Sequence, residues 1–451
     1  MKTQTLEQIL PDIKKTLQTN HASEFQLVID EFQPYDLARI HNLLSDIEQN
    51  QLLELLNDEQ LADMMQEMDY PLQIEILAKL SKDRTTVIIN LMDNDDLAIL
   101  LEELSPEQKD ALIRGMSAEE SRFIRNMMKY PPETAGRIMT NRYVWIPQHY
   151  TVTEVVQKLK TYVSITETIN YLYVVDDDKQ LIGVVSFRGL ILAEPDAAIV
   201  DIMHTRVHAV PVDADQEEVA RIIQQYDFVA IPVVEQDNKL VGIITVDDIL
   251  DVVIQEADED FRKMNATSGK TIDFNTKATV AAYRRLPWLI LLLFIGLISG
   301  SIISQFEETL AQVVALAFFM PMIAGMTGNT GTQSLAVIVR GLTTKQMDKS
   351  LVYRLLAREL KVGVIIGVVC GILISLIAYF WQGNLYLGLV VGISLIATLI
   401  VGTMAGTIIP LVLSRLKVDP AVASGPLITT INDILSLVIY FGIATLFLSY
   451  I

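Results

Sequence analysis

Asp433 is a carboxylate inside an apolar stretch that runs from Gly425 to the final residue, Ile451. The stretch reads as a membrane-spanning helix, and an ionised carboxylate at mid-bilayer costs about 3 kcal/mol on insertion scales. Such a group is expected to face a water-filled path, a protein interior or a bound cation. A cation path suits it better than the alternative, an Asp satisfied by neighbouring hydroxyls in a helix contact. A second chemical feature is Pro321-Met-Ile-Ala-Gly-Met-Thr-Gly-Asn329-Thr-Gly-Thr-Gln333-Ser334, an unusually polar, glycine-rich passage for membrane depth. Unwound backbone is tolerated there when it is buried in protein or lines a wet cavity, where its carbonyls can coordinate ions.

Charge divides the chain that must position these groups. Residues 1–286 hold 49 of the 55 acidic and 27 of the 35 basic side chains, a net charge of −22, whereas 287–451 carry a net of +2. This break predicts an acidic soluble part followed by a membrane part. The acidic part is expected to avoid nucleic acid and anionic lipid and to attract cations. Cys370 is the single cysteine, which excludes a disulfide framework or a cysteine metal cluster. The histidines are scattered, with no nucleophile–base spacing and no P-loop, so an enzyme is the least expected class. The polar start, Met1-Lys-Thr-Gln-Thr-Leu-Glu7, lacks a secretory core segment, and the soluble part is expected to stay in the cytoplasm.

Five apolar segments, at approximately 287–306, 310–338, 360–382, 385–413 and 423–451, reach the roughly 20 residues that cross a bilayer. Arg284 and Arg285, then Arg340, Lys345, Lys349, Arg354, Arg358 and Lys361, then Arg415 and Lys417 fall at alternate connections. The turns at 305–308 and 381–384 hold no base. By the positive-inside rule the soluble half is cytoplasmic and the five crossings leave Ile451 outside. Gly363, Gly367 and Gly371, like Gly402 and Gly406, are spaced by four and predict close helix packing.

Residues 1–130 predict many short helices. Asp93-Asn-Asp95-Asp96, Ser105-Pro-Glu-Gln108 and Ser117-Ala-Glu-Glu120 recur every 12 residues, each an N-cap followed three positions later by an acid or amide. Stacked at that interval, they predict a superhelical repeat array. Residues 138–258 contain a duplication: Tyr173–Ser186 matches Pro232–Thr245 at an offset of 59, and Met139–Val155 matches Met203–Val219 at an offset of 64. Each copy predicts strand, helix, strand, turn, strand, helix. The duplication resembles a tandem pair of CBS domains, modules that usually sense a ligand, often an adenine nucleotide. That family places a ribose-binding Asp in Gly-x-x-Thr-x-x-Asp. The second copy keeps it as Gly242-Ile-Ile-Thr245-Val-Asp247-Asp248, while the first reads Gly183-Val-Val-Ser186-Phe-Arg188-Gly189. The resemblance therefore implies Arg188 and Asp248 as candidates for ATP, with Gly189 counting against binding in the first copy and Asp248 free to serve a cation instead.

The order of acidic helical array, CBS pair, connector and five apolar segments resembles the MgtE family of magnesium transporters. Arg285-Leu-Pro-Trp288, Gly328-Asn329-Thr-Gly331-Thr-Gln333-Ser334, Asp419-Pro420 and Thr430-Ile-Asn-Asp433 carry the resemblance. It implies a multidomain α-helical membrane protein with a cytoplasmic α-superhelical N domain over 1–130 and an α/β CBS pair over 138–199 and 200–258. A connector helix over 259–286 and a five-helix transmembrane pore domain over 287–451 would follow. Asn265–Lys270 departs from a helix, so the connector is expected to start afresh near Thr276. The resemblance further implies a homodimer in the lipid bilayer of the cell membrane that takes up Mg²⁺ and is closed by cytoplasmic Mg²⁺. Asp433 of both subunits would form the selectivity site, with Asn329, Gln333, Thr429, Thr430 and the Gly328–Gly331 backbone lining the path. Mg²⁺ prefers octahedral oxygen at about 2.1 Å and keeps several waters, which such oxygens can hold; the absence of thiolate and imidazole there argues against a transition metal. Sensor ligands would be Asp95, Asp215, Glu218, Asp227, Asp248, Asp251 and Glu259, with Glu59 on a looser match. The competing classes are a CBS-regulated carrier for another substrate, such as another divalent cation, and a membrane-tethered sensor without transport. Asp433 and the polar passage speak against a mere anchor.

Overall fold

Serine side chains set the pitch of the N-terminal region. In the computed structural model, residues 6–19, 22–162, 166, 168–269, 272, 276–344 and 349–450 are described, so Lys345 and Ile451 lie outside the described residues. The first ten elements are α1 (Leu6–Thr19), α2 (Ala22–Ile29), α3 (Pro34–Leu43), α4 (Asp46–Leu55), α5 (Asp58–Gln66), α6 (Tyr70–Lys79), α7 (Lys82–Leu91), α8 (Asn94–Glu102), α9 (Pro106–Gly115) and α10 (Ala118–Met127). The Ser81, Ser105 and Ser117 side chains accept the backbone N–H three residues on, and Ser105 closes a capping box with Gln108. Asp93 stands at the same period but caps nothing. Its carboxylate is taken by Arg142 at 2.7 Å and by Gln66 at 3.1 Å, because a guanidinium is the stronger partner. Glu120 likewise does not complete a box, accepting instead from the Asn94 amide at 2.8 Å. Leu97, Leu100 and Leu101 share one buried face of α8. Alternate helices stack, α3 on α5, α5 on α7 and α7 on α9, as a superhelical array requires.

The duplicated region follows. Its first copy comprises β1 (Tyr143–Pro147), α11 (Val152–Tyr162), β2 (Thr168–Val175), β3 (Leu181–Ser186) and α12 (Phe187–Leu192). After α13 (Ile199–Ile202) come β4 (Val210–Pro211), α14 (Gln216–Tyr226), β5 (Ala230–Val234), β6 (Leu240–Thr245) and α15 (Val246–Met264). Each copy makes a three-stranded sheet whose central strand pairs parallel with the first strand and antiparallel with the third. The copies clasp each other symmetrically. Thr140, ahead of β1 in the first copy, exchanges backbone hydrogen bonds with Ile243 of the second, and His204, ahead of β4 in the second, does so with Val184 of the first. A Cβ at Gly183 would meet Met203 Sδ at 2.5 Å and one at Gly242 would meet Met139 Sδ at 2.7 Å, so this clasp needs glycine at both equivalent positions. Tyr173, Leu181, Ala230, Leu240 and Ile243 form the core shared by the two sheets.

Residues 1–253 and 254–451 form two compact units. The second holds the end of α15, then α16 (Ala278–Gln305), α17 (Glu307–Gln312), α18 (Leu316–Thr344), α19 (Lys349–Gln382), α20 (Leu385–Arg415) and α21 (Gly425–Leu446). Among the described residues α16, α19, α20 and α21 are long and apolar enough to cross a membrane. At 29 residues α18 matches them in length, but its polar passage makes it less apolar. The passage does not end or unwind the helix: α18 runs unbroken from Leu316 to Thr344. Its glycines serve contact rather than unwinding. A Cβ at Gly328 would meet Thr429 Cγ2 at 2.9 Å, Gly331 lies against the Asn432 amide and Gly406 against the Gly331 carbonyl, leaving no room for any side chain. Small residues thus let α18 pack tightly on α20 and α21, and the Gly328–Gly331 carbonyls are committed to the helix instead of being free for an ion.

Candidate functional site

Asp433 projects from the middle of α21 and is half-buried. Among the described residues no side chain donates to its carboxylate or pairs with it, while its backbone carbonyl accepts from Ser436 Oγ at 2.9 Å. The Thr429 and Thr430 hydroxyls donate to the Gly425 and Pro426 carbonyls of their own helix at 2.9 and 2.8 Å. Their oxygens keep lone pairs to accept from a hydrated ion. Asn432 is fully buried and ties α21 to α18 by donating to the Thr327 carbonyl at 3.2 Å. Asn329 and Gln333 lie one turn apart on the exposed face of α18. Two amides and a carboxylate on open faces of membrane-length helices require water or another protein surface. These oxygens form a hard, cation-compatible set.

A second set of carboxylates lies where the helical array meets the CBS pair. α8 carries Asp95 and Asp96 at its N-terminal end, and α15 presents Asp248 and Asp251. Asp248 accepts from the Thr245 hydroxyl, from the Thr245 N–H at 3.2 Å and shares a hydrogen bond with the Asp95 carboxyl. Burial raises Asp248 above the usual carboxylate range. Burial, with Asp93, Asp248, Asp251 and Glu67 nearby, pushes Asp96 up to about 7. Glu67 is raised by burial and by Asp251, and Asp63 by burial, Asp93 and Glu59. The face is therefore short of positive charge and would gain from any cation that reached it.

In the second unit a third set encloses an ammonium. Lys263 on α15 pairs with Glu259 one turn earlier and with Asp419 ahead of α21. Burial opposes its charge, but the bonds to Asp419 and Glu259 win and hold its pKa above the ordinary lysine value. Asp260 beside it is raised by burial and by Asp419.

Of the expected sensor residues, Asp95, Asp248 and Asp251 come together, Glu59 sits near Asp63, and Glu259 joins Asp419. Asp215 does not join them: it caps α14 by accepting the Glu217 N–H at 2.8 Å. Asp227 ends the same helix in the left-handed conformation, with φ 53°, and Glu218 lies 3.8 Å from Arg221. Arg188 lines a cavity of about 520 Å³ with Tyr171, Ser186, Phe187 and Val229, whereas Asp248 does not line it. Gly189 donates its N–H to Ser186 Oγ at 3.0 Å. Sequence reasoning missed Asp96, Glu67, Lys263 and Asp419 as members of these sets. Asp96 adjoins the chosen Asp95, and only the fold reveals that it too is buried among acids. Among the described residues no three carboxylate, imidazole or thiol groups close tightly enough to ligate an ion, so neither acid set is a preformed cage.

Comparison with known proteins places these features. A family described as MgtE, divalent cation transporter, matches residues 320–443; the MgtE intracellular N domain matches 32–133; and CBS domains match 135–196 and 199–255. The chain is 57% identical over 444 residues to the magnesium transporter MgtE of Bacillus subtilis, with 98% of each covered. It is 38% identical to that of Enterococcus faecalis, over 99% of each chain, and 35% identical to that of Thermus thermophilus, over 98% of this chain and 99% of the relative. Among solved structures, the soluble part of a magnesium transporter aligns with a TM-score of 0.54 at 34% identity, covering 56% of this chain and all of that one. The cytosolic domain of the Mg²⁺ channel MgtE in complex with ATP aligns with a TM-score of 0.51 at 34% identity, covering 54% of this chain and 99% of that one. With relatives of this identity matched along nearly their whole length, the chain belongs to the MgtE family of magnesium transporters.

Proposed function

We propose that this protein carries Mg²⁺ into the cell along a path lined by Asp433, and that cytoplasmic Mg²⁺ closes the path through the acidic face of the first unit. The observation that carries the reading is Asp433 itself, a carboxylate on a membrane-length helix with no cationic partner among the described residues. Asn329 and Gln333 on the exposed face of α18 support a homodimer, since a second copy would give these amides and Asp433 a shared polar path. The basic connections support a cytoplasmic soluble half and an external C-terminus. Mg²⁺ holds its waters tightly, and hydroxyls, amides and one carboxylate per subunit bind a hydrated ion weakly enough to release it.

For closure, the raised pKa values of Asp96 and Asp248 support a face that a divalent ion would hold together better than protons do. An ion that binds the compact arrangement more tightly shifts the population towards it. We assign the inner sensor to Asp95, Asp96, Asp248 and Asp251, and a connector site to Glu259, Asp260 and Asp419. Glu59 joins the edge of the first set through Asp63. Asp215 caps α14, Glu218 lies near Arg221 and Asp227 ends α14, and these three are left out of both. ATP is a secondary ligand on this reading: Arg188 and Tyr171 offer the cavity a phosphate partner and a ring, while Gly189 withholds the ribose carboxylate.

The test of the path is Mg²⁺ flux into proteoliposomes containing purified wild-type protein or Asp433→Ala, both checked as folded dimers. Flux in the wild type that vanishes in the variant is the expected result. Equal flux in the two would remove Asp433 from the path, and a wild type without flux would favour a non-transporting sensor.

A further inference from the structure

The membrane unit holds a second buried carboxylate that the transport reading leaves unused. Glu359 lies on α19 and is only 4% exposed, in a helix otherwise built of apolar and small residues beyond its first turns. One of its oxygens accepts from the Ser334 hydroxyl of α18 at 3.0 Å. The other accepts from the Arg358 guanidinium at 2.8 Å, and that guanidinium remains half-exposed. Ser334 is itself 4% exposed and closes the polar passage of α18. A hydroxyl and a carboxylate buried together between helices are costly to leave unpaired. They are found here at the end of the passage that carries the pore contacts.

The same passage touches α21 one and two turns earlier. Gly328 packs on Thr429 and Gly331 on Asn432, which donates to Thr327 and adjoins Asp433 in the chain. Gly406 of α20 abuts the Gly331 carbonyl, and Gly363, one turn beyond Glu359, lies 3.2 Å from Thr403 by its would-be Cβ. Three helices, α19, α20 and α21, thus meet around one stretch of α18, and Glu359 is a polar group that links this stretch to α19.

We propose that Glu359 is a positioning residue for ion passage: through Ser334 it fixes the height and rotation of α18, and so the placement of Asn432 and Asp433 on α21. The inference rests on the transport reading above. What the position requires is a buried acceptor for the Ser334 hydroxyl, so an amide oxygen serves in place of the carboxylate and a hydrocarbon does not.

The test compares wild type, Glu359→Gln, Glu359→Leu, Ser334→Ala and the Ser334→Ala/Glu359→Leu double variant as purified full-length protein in proteoliposomes. Mg²⁺ flux is recorded against external Mg²⁺, beside the thermal midpoint of each protein. Ser334→Ala and Glu359→Leu are expected to raise the half-saturating Mg²⁺ concentration about tenfold, and the double variant no further, because both remove one interaction. Glu359→Gln should stay within about threefold of wild type. Half-saturation unchanged in Ser334→Ala, effects that multiply in the double variant, or a folded Glu359→Gln as impaired as Glu359→Leu would each overturn the inference. Should Glu359→Leu not fold, Ser334→Ala and Glu359→Gln decide alone. A wild type without flux would defeat the transport reading instead, which separates the two failures.

Discussion

The helical array meets the CBS pair through two patches of opposite character. In one, Arg142 donates to the Leu91 and Met92 carbonyls at 3.0 and 2.6 Å, to the Asn90 carbonyl at 3.3 Å and to Asp93 at 2.7 Å. Arg137 pairs with Glu102 beside it. These donors satisfy carbonyls that the end of α7 leaves without helical partners, and the patch is complete without any ion. In the other patch, Asp95, Asp96, Asp248, Asp251 and Glu67 meet, and burial raises Asp96 and Asp248. One patch behaves as a fixed pivot and the other as a charge-controlled catch, on the reading proposed here. On that reading a cation acts on the acid side of the interface and not on the whole of it.

The sharpest way to break this contrast is Asp96→Asn. Burial and four neighbouring acids raise Asp96 from 3.8 to about 7. Removing its charge should stabilise the metal-free protein at alkaline pH by on the order of 3 kcal/mol and cancel most of the Mg²⁺-induced rise in thermal midpoint. An unaltered response to Mg²⁺ would place the catch elsewhere. The pH dependence is the same test without a mutation. A raised carboxyl contributes stability that is fully present below its unfolded value and lost as pH rises through its folded one. For Asp96 that window runs from 3.8 to about 7. Chelator-treated protein should therefore lose stability as the pH climbs from about 4 to about 7, whereas saturating Mg²⁺ should flatten the curve.

Arg142→Ala acts on the other patch and should cost about 2 kcal/mol by orphaning the α7 carbonyls. Its midpoint should drop equally with and without Mg²⁺; a loss seen only in chelator would join the two patches into one device. Lys263→Met is the smallest effect. The ammonium and its two carboxylates are each about one-third exposed, so losing the pairs should cost only about 1 kcal/mol. That loss should be recovered by Mg²⁺, since Glu259 and Asp419 would then lack their built-in cation. A variant insensitive to Mg²⁺ would argue that this set binds no ion.

Local signals were the legible ones. The serines at 105 and 117 cap helices by contacts three residues long, and the two offsets of the duplication map onto one clasp in which Met139 meets Gly242 and Met203 meets Gly183. What the sequence hid depends on distance along the chain. Asp93 reads as a cap until Arg142 arrives to take it, and Glu67 reads as surface until Asp251 is placed beside it. Gly328 and Gly331 were ambiguous in a different way. The same residues that allow backbone to unwind also allow helices to touch, and only Thr429, Asn432 and Gly406 decide for touching. Asp433 was legible because burying charge in an apolar helix is costly wherever the fold puts it. Glu359 carries no pattern of its own in the sequence; only the fold sets it against Ser334.

The most direct test of the account is Mg²⁺ flux through the full-length wild type in proteoliposomes as internal Mg²⁺ is raised from micromolar to millimolar, with Asp96→Asn alongside. The account predicts a fall of about tenfold or more in the wild type, and a flux in Asp96→Asn that is already low at micromolar internal Mg²⁺ because its acid face closes without the ion. Wild-type flux that does not depend on internal Mg²⁺ would contradict it.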